Sequence, residues 1–138
     1  MRSLKVFTLL ITLMLAASAC EVEGERDFQH AQLTSNRAVI YVYRPYRMLG
    51  APLEPQVTCG HTTIGIGAGG YHPFTEEPGA ISCYASSDPG SKIQVEARPA
   101  TEYYVREDVA AGITEGHVTL TSVSRTKGES EIDGLKMQ

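Results

Sequence analysis

The chain has 138 residues, with 12 basic and 16 acidic side chains and a formal net charge of −4. That length holds one modest domain with a real core and excludes two. An acidic chain without a run of lysines is poorly suited to nucleic acid or to anionic lipid headgroups.

In chain order, residues 1–5 are short and basic, carrying Arg2 and Lys5. A twelve-residue apolar run follows over 6–17, broken only by Thr8 and Thr12. A membrane-spanning helix needs roughly 20 apolar residues, so this run is too short and reads as an export signal. Small residues then lead to Ala17-Ser18-Ala19-Cys20, which resembles the lipobox of bacterial lipoproteins. In such a motif the Cys20 thiol takes a diacylglycerol, and cleavage leaves an N-acylated Cys20 as the first residue. An ordinary A-x-A site at 17–19 would cut the same bond without a lipid. Several acyl chains at about 0.8 kcal/mol per buried CH₂ make a stable anchor, whereas one does not. Glu21 stands where Asp would be the usual inner-membrane retention signal. By resemblance to that sorting rule the destination is the periplasmic face of a Gram-negative outer membrane. Removing nineteen residues that hold two bases leaves 119 residues, 10 bases and 16 acids, a charge of −6. Residues 20–37 then form a lipidated Cys and an acidic tether, residues 38–126 the domain, and residues 127–138 a polar tail in which Ile132 and Leu135 suit a docked helical turn.

Residues 38–43, AVIYVY, are apolar on both faces and rich in β-branched and aromatic side chains, which predicts a central strand covered on both sides. Pro45, Pro52 and Pro55 mark a loop. A strand or hairpin around Gly60 follows. Residues 67–70 form a glycine-rich turn, 80–85 a strand, and Asp88-Pro89-Gly90 a turn. Residues 92–97 alternate, with Ile93, Val95 and Ala97 inward. Pro99-Ala100 turns the chain into a strand at 102–106, and a last strand spans 117–123, with Val118 and Leu120 on one side. About seven short strands separated by turn residues argue an all-β, Ig-like or transthyretin-like sandwich without a helix of any length.

Cys59 shares a strand face with Val57, and Cys83 shares one with Ile81 and Ala85. Export makes disulfides permissible, and with Cys20 taken by lipid these two remain. A disulfide across neighbouring core strands is the simplest reading; two free buried thiols are the alternative. The closed loop has 25 residues, so its chain entropy is worth roughly 3.5 kcal/mol.

The order AVIYVYRPYR, TCGHTTIG, GGYHPF, PGAISCYA, IQVEARPATEYYVRED and VTLTSV resembles a family of small bacterial lipoproteins whose single domain has no assigned function. It is also similar to PEGA-type and transthyretin-like modules of the envelope. The resemblance covers 38–123 and implies a β-sandwich, with no catalytic residue to carry over. The Cys59/Cys83 pair departs from it.

Residues 65–70 match G-x-G-x-x-G, but no helix is expected after them to meet a pyrophosphate, so they read as a turn. Cys59, His61, His72 and His117, with Glu76 and Glu77, match no standard metal spacing, and no cofactor beyond the lipid is expected. No G-x-S-x-G, H-E-x-x-H or Walker sequence is present, and a non-enzymatic protein is expected. The seven tyrosines divide between core and surface. Tyr84 and Tyr104 alternate away from inward neighbours. With Tyr46, Arg44, Arg47 and Arg106 they have the composition of a protein-binding surface; the alternative is that tyrosines cover the outer sheet face. The expected function is a binding or scaffolding module of the envelope that engages another envelope protein. The runner-up is an inhibitor or immunity lipoprotein that blocks a cell-wall hydrolase or toxin with a loop, at 44–55 or 65–77.

Overall fold

The computed structural model describes residues 28–110 and 116–138. The expected signal peptide, Cys20 and the start of the tether lie outside the described residues. Nine strands and one helix follow in order: β1 (Ala38–Arg44), β2 (Gln56–Cys59), β3 (Thr62–Gly65), β4 (Gly70–Glu76), β5 (Gly79–Ala85), β6 (Asp88–Ala97), β7 (Thr101–Ala110), β8 (His117–Val123), α1 (Arg125–Ile132) and β9 (Lys136–Met137). They form an all-β sandwich of a five-stranded sheet, β8-β7-β1-β4-β9, and a four-stranded sheet, β3-β2-β5-β6. Among the described residues no helix is long and apolar enough to cross a membrane.

β1 is central, antiparallel to β4 and parallel to β7, and all seven of its residues are buried. Its two-sided apolar pattern has a direct cause. Ala38, Ile40 and Val42 face the sandwich interior with Val57, Phe74, Ile81, Val95, Val105 and Leu120. Val39, Tyr41 and Tyr43 face outward into a second core with Tyr71, Tyr104 and Ile132. That outer core is roofed by α1 and by the segment before β1, through Phe28 and Ala31. Gly128 permits the close approach of α1, because a Cβ there would collide with the Tyr104 ring.

Several expectations change here. Phe28 and Ala31 pack on the sheet instead of belonging to a free tether, and the tail is a capped helix followed by a ninth strand, so packing does not divide the chain at 37/38 or 126/127. Ser124 caps α1 by accepting from the Lys127 N–H at 3.4 Å. The turn after β5 falls at Ser86-Ser87, and Asp88-Pro89-Gly90 already belongs to β6. The Asp88 carboxylate accepts the Val118 N–H at 3.2 Å, which ties the start of β6 to β8 and holds its pKa below the usual carboxylate range. Tyr71 to Phe74 lie in β4, where Pro73 is tolerated because β9 pairs only with Gly70 and Tyr71. The 65–70 glycine motif leads into that strand, and the turn holds the Gln138 amide through the Gly67 N–H at 2.7 Å.

Cys59 and Cys83 are direct cross-strand partners of β2 and β5 and form a disulfide, with Cα atoms 4.2 Å apart. Both are fully buried in the inner core, as the alternation predicted.

Candidate functional site

Three polar constellations stand out, one on the outer face and one at each end of the sandwich. At the β1 C-terminal end, the loop over 45–55 leaves the body between β1 and β2. Tyr46, Met48, Leu49 and Leu53 are four of the six exposed large apolar side chains among the described residues, and Met48 is 83% exposed. Contiguous exposed apolar side chains are the material of contact surfaces. The loop is fastened from within. Arg44 points into the sandwich, is 3% exposed, and donates to the Gly50 and Leu53 carbonyls at 2.6 Å each and to the Ile66 carbonyl at 3.3 Å. Beside it sits Glu107, fully buried, with neither carboxylate oxygen hydrogen-bonded. Burial pushes the Glu107 carboxyl up to about 7, against the opposing pull of the Arg44 guanidinium. The alternation Val105, Glu107, Val109 carries the signal for this inward acid.

The structure therefore separates the expected binding residues. Tyr46 and Arg47 are exposed on the loop. Arg44 is buried and serves the loop's backbone, so it offers no surface. Tyr104 is 2% exposed beneath α1, stacked on Tyr41 with ring centroids 5.2 Å apart, and this corrects its assignment to a surface. Its position alternates away from the inner core, as expected, but the second core takes it. Arg106 is half-buried and spent on Asp108 at 3.0 Å and Glu131 at 2.9 Å. Tyr84 is half-buried on the opposite sheet. Of the two loop candidates, only 44–55 protrudes; most of 65–77 is strand β4.

On the outer face, Glu102 gathers the segment before β1 and the helix after β8. Its carboxylate accepts the Tyr41 hydroxyl at 3.1 Å and meets His30 Nδ1 at 2.9 Å; Arg125 stands at 3.4 Å. His30 Nε2 lies 3.5 Å from Glu129, and Arg125 donates to that same Glu129 at 2.7 Å. His30, Glu102 and Glu129 have ligand atoms mutually within 4.8 Å, a different set from the histidines weighed in the sequence. The Arg125 guanidinium occupies the cation's place between the two carboxylates, so the cluster works as a clasp holding the chain's two flanking segments together. Burial raises the hydroxyl pKa values of Tyr41 and Tyr104, which keeps both as donors to it.

At the opposite end from the loop, where the chain crosses from β4 to β5, a cavity of about 610 Å³ opens. Arg37, His61, Glu76, Glu77, Ser82 and Tyr84 supply its polar wall. Glu76 is 8% exposed. Its carboxyl pKa is raised, chiefly by burial, with His61 and Arg37 pulling the other way. Gly60, at φ +58°, gives it room: a Cβ there would collide with the carboxylate. Sequence reasoning had Glu76 only as a loose metal candidate, because the crossover that buries it has no local signature.

No protein-family model, curated protein or solved structure matches this chain.

Proposed function

We propose that the protein is an exported, lipid-anchored module of the Gram-negative envelope. It is held through an acylated Cys20 at the periplasmic face of the outer membrane and binds another envelope protein without catalysing a reaction. The observation that carries the binding role is the loop over 45–55, where Tyr46, Met48 and Leu49 are presented to solvent on a base locked by buried Arg44. Aromatic, Met and Arg side chains are enriched at interface cores, and Arg47 adds a cation beside them. The signal-like residues 1–19 and the lipobox-like Ala17-Ser18-Ala19-Cys20 support the location.

The anchor is tested by palmitate labelling, which marks the protein and is lost in Cys20→Ser; labelling that persists in the variant sinks the anchor. The recognition role is tested by placing a photo-cross-linking residue at Met48 in living cells, with the same residue at exposed Glu96 of β6 as control. A discrete adduct from position 48 alone is expected. Identical patterns from both positions count against the loop.

The loop's protrusion also favours a second reading, inhibition of a cell-wall hydrolase or toxin by insertion of the loop into a cleft. Purified protein then inhibits a lysozyme-type hydrolase, and alanines at Tyr46, Met48 and Leu49 remove inhibition while leaving the fold intact.

A further inference from the structure

We infer that the cavity at the β4–β5 crossover is a binding site for an aliphatic ammonium group, carried on a lysine side chain or a small diamine, with Glu76 as its counter-ion. The inference is independent of the loop. Ala38 pairs with Glu76 and Arg44 with Gly70, so cavity and loop sit at opposite ends of β1.

Glu76 is more than nine-tenths buried, yet among the described residues no cationic side chain forms an ion pair with it. Arg37, whose charge it feels, lies instead 3.7 Å from exposed Glu77 at the rim. Burying a carboxylate without a cation in direct contact is costly, and a cation brought by a ligand reduces that cost. The carboxylate is also placed and not merely stranded. It rests over Gly60 in the β2–β3 turn, in space that any other residue at position 60 would fill. The nearby His61, on the same turn, favours its ionised form.

The remaining wall suits the stem of such a ligand. The Tyr84 ring, Ile81 and the turn at Pro78 give apolar surface for methylenes, and Ser82 offers a hydroxyl. A lysine or diamine lays its carbon chain on apolar surface while its ammonium seeks an anion. An ammonium near the Tyr84 face gains cation–π attraction as well. The volume, about 610 Å³, lies within the range of small-ligand clefts. With Glu76 and Glu77 against Arg37, the lining has an excess of negative charge that selects a cation over an anion.

The test is a titration of the protein, followed by ¹H–¹⁵N NMR, with four probes: cadaverine, the blocked tripeptide acetyl-Ala-Lys-Ala-amide, pentanediol and acetate. Saturable shifts are expected at Gly60, His61 and Gly79 with an ammonium probe, with a Kd on the order of 1–10 mM. Tighter binding of cadaverine assigns the site to free diamines, and tighter binding of the tripeptide assigns it to lysine side chains of a polypeptide. Pentanediol, which keeps the stem and lacks the charge, leaves those amides unmoved. Glu76→Gln weakens the ammonium probe at least about tenfold, since a partly buried charge pair is worth 1.4 kcal/mol or more. Glu77→Gln, at the exposed rim, weakens it less than about threefold. The inference is overturned if no amide at the cavity saturates, if pentanediol shifts the same amides as strongly, or if the two Gln variants lose equally, which would be diffuse screening. The pentanediol arm decides the matter even where Glu76→Gln fails to fold.

Discussion

Replacing Glu107 by Gln isolates the most unusual charge in the molecule. Glu107 lies between Val105 and Val109 on the inner face of β7, fully buried, with both oxygens unpartnered. Its carboxyl is raised from an ordinary 4.5 to about 7 by burial. Below about pH 4.5 the folded and unfolded chains both hold the proton, and the group has no effect on stability. As pH rises from there to about 7, the unfolded chain loses its proton first, so stability falls by about 1.4 kcal/mol per unit. Above the folded value the loss is complete at about 3 kcal/mol. Gln keeps the shape and cannot ionise. Urea unfolding of the oxidised protein at about pH 4 and pH 8 therefore gives near-equal stabilities at the lower pH. At the higher pH, Glu107→Gln is more stable by roughly 2–3 kcal/mol. Glu76, whose carboxyl is also raised, is present in both proteins and cancels in the difference. A stability difference that stays constant between the two pH values refutes the reasoning, because Glu107 would then not titrate differently on folding.

The other predictions address packing. Cys59→Ala with Cys83→Ala removes a cross-link spanning 24 positions and costs up to roughly 3.5 kcal/mol, read as a lower urea midpoint. Arg44→Met removes three hydrogen bonds to the loop and its base and leaves Glu107 without its nearby cation; about 3–5 kcal/mol is lost, and hydrogen exchange speeds up over 45–55 before it does elsewhere. Gly128→Ala drives a methyl into the Tyr104 ring and costs about 1–3 kcal/mol, with near-ultraviolet circular dichroism reporting the displaced tyrosines.

The inner core was legible because strands alternate. Val57 with Cys59, Ile81 with Cys83, and Val95 with Ala97 show a period of two that fixes which side is buried, and the disulfide follows once both thiols face inward. The outer core was legible only by half. The two-sided pattern of β1 required a cover, but nothing local says that Phe28, far upstream, and Ile132, far downstream, supply it. Polar composition at 21–36 and 128–138 argued for solvated ends, whereas a single aromatic and a short helix with almost no apolar stripe proved enough to seal the face. Tyr104 was misplaced for that reason: away from the inner core is the surface in a bare sandwich, but the interior once α1 lies over it.

The same packing bears on how the module would be displayed. With Phe28 and Ala31 packed on the outer sheet face, the expected tether over residues 20–37 is not free over its whole length. The Phe28 N–H is tied to Asp133 after α1, and His30 to Glu102, so the leash is fixed to the five-stranded sheet. Under the proposed lipid anchor the chain therefore reaches the domain at its five-stranded sheet, while the loop and the crossover cavity sit at opposite ends of β1.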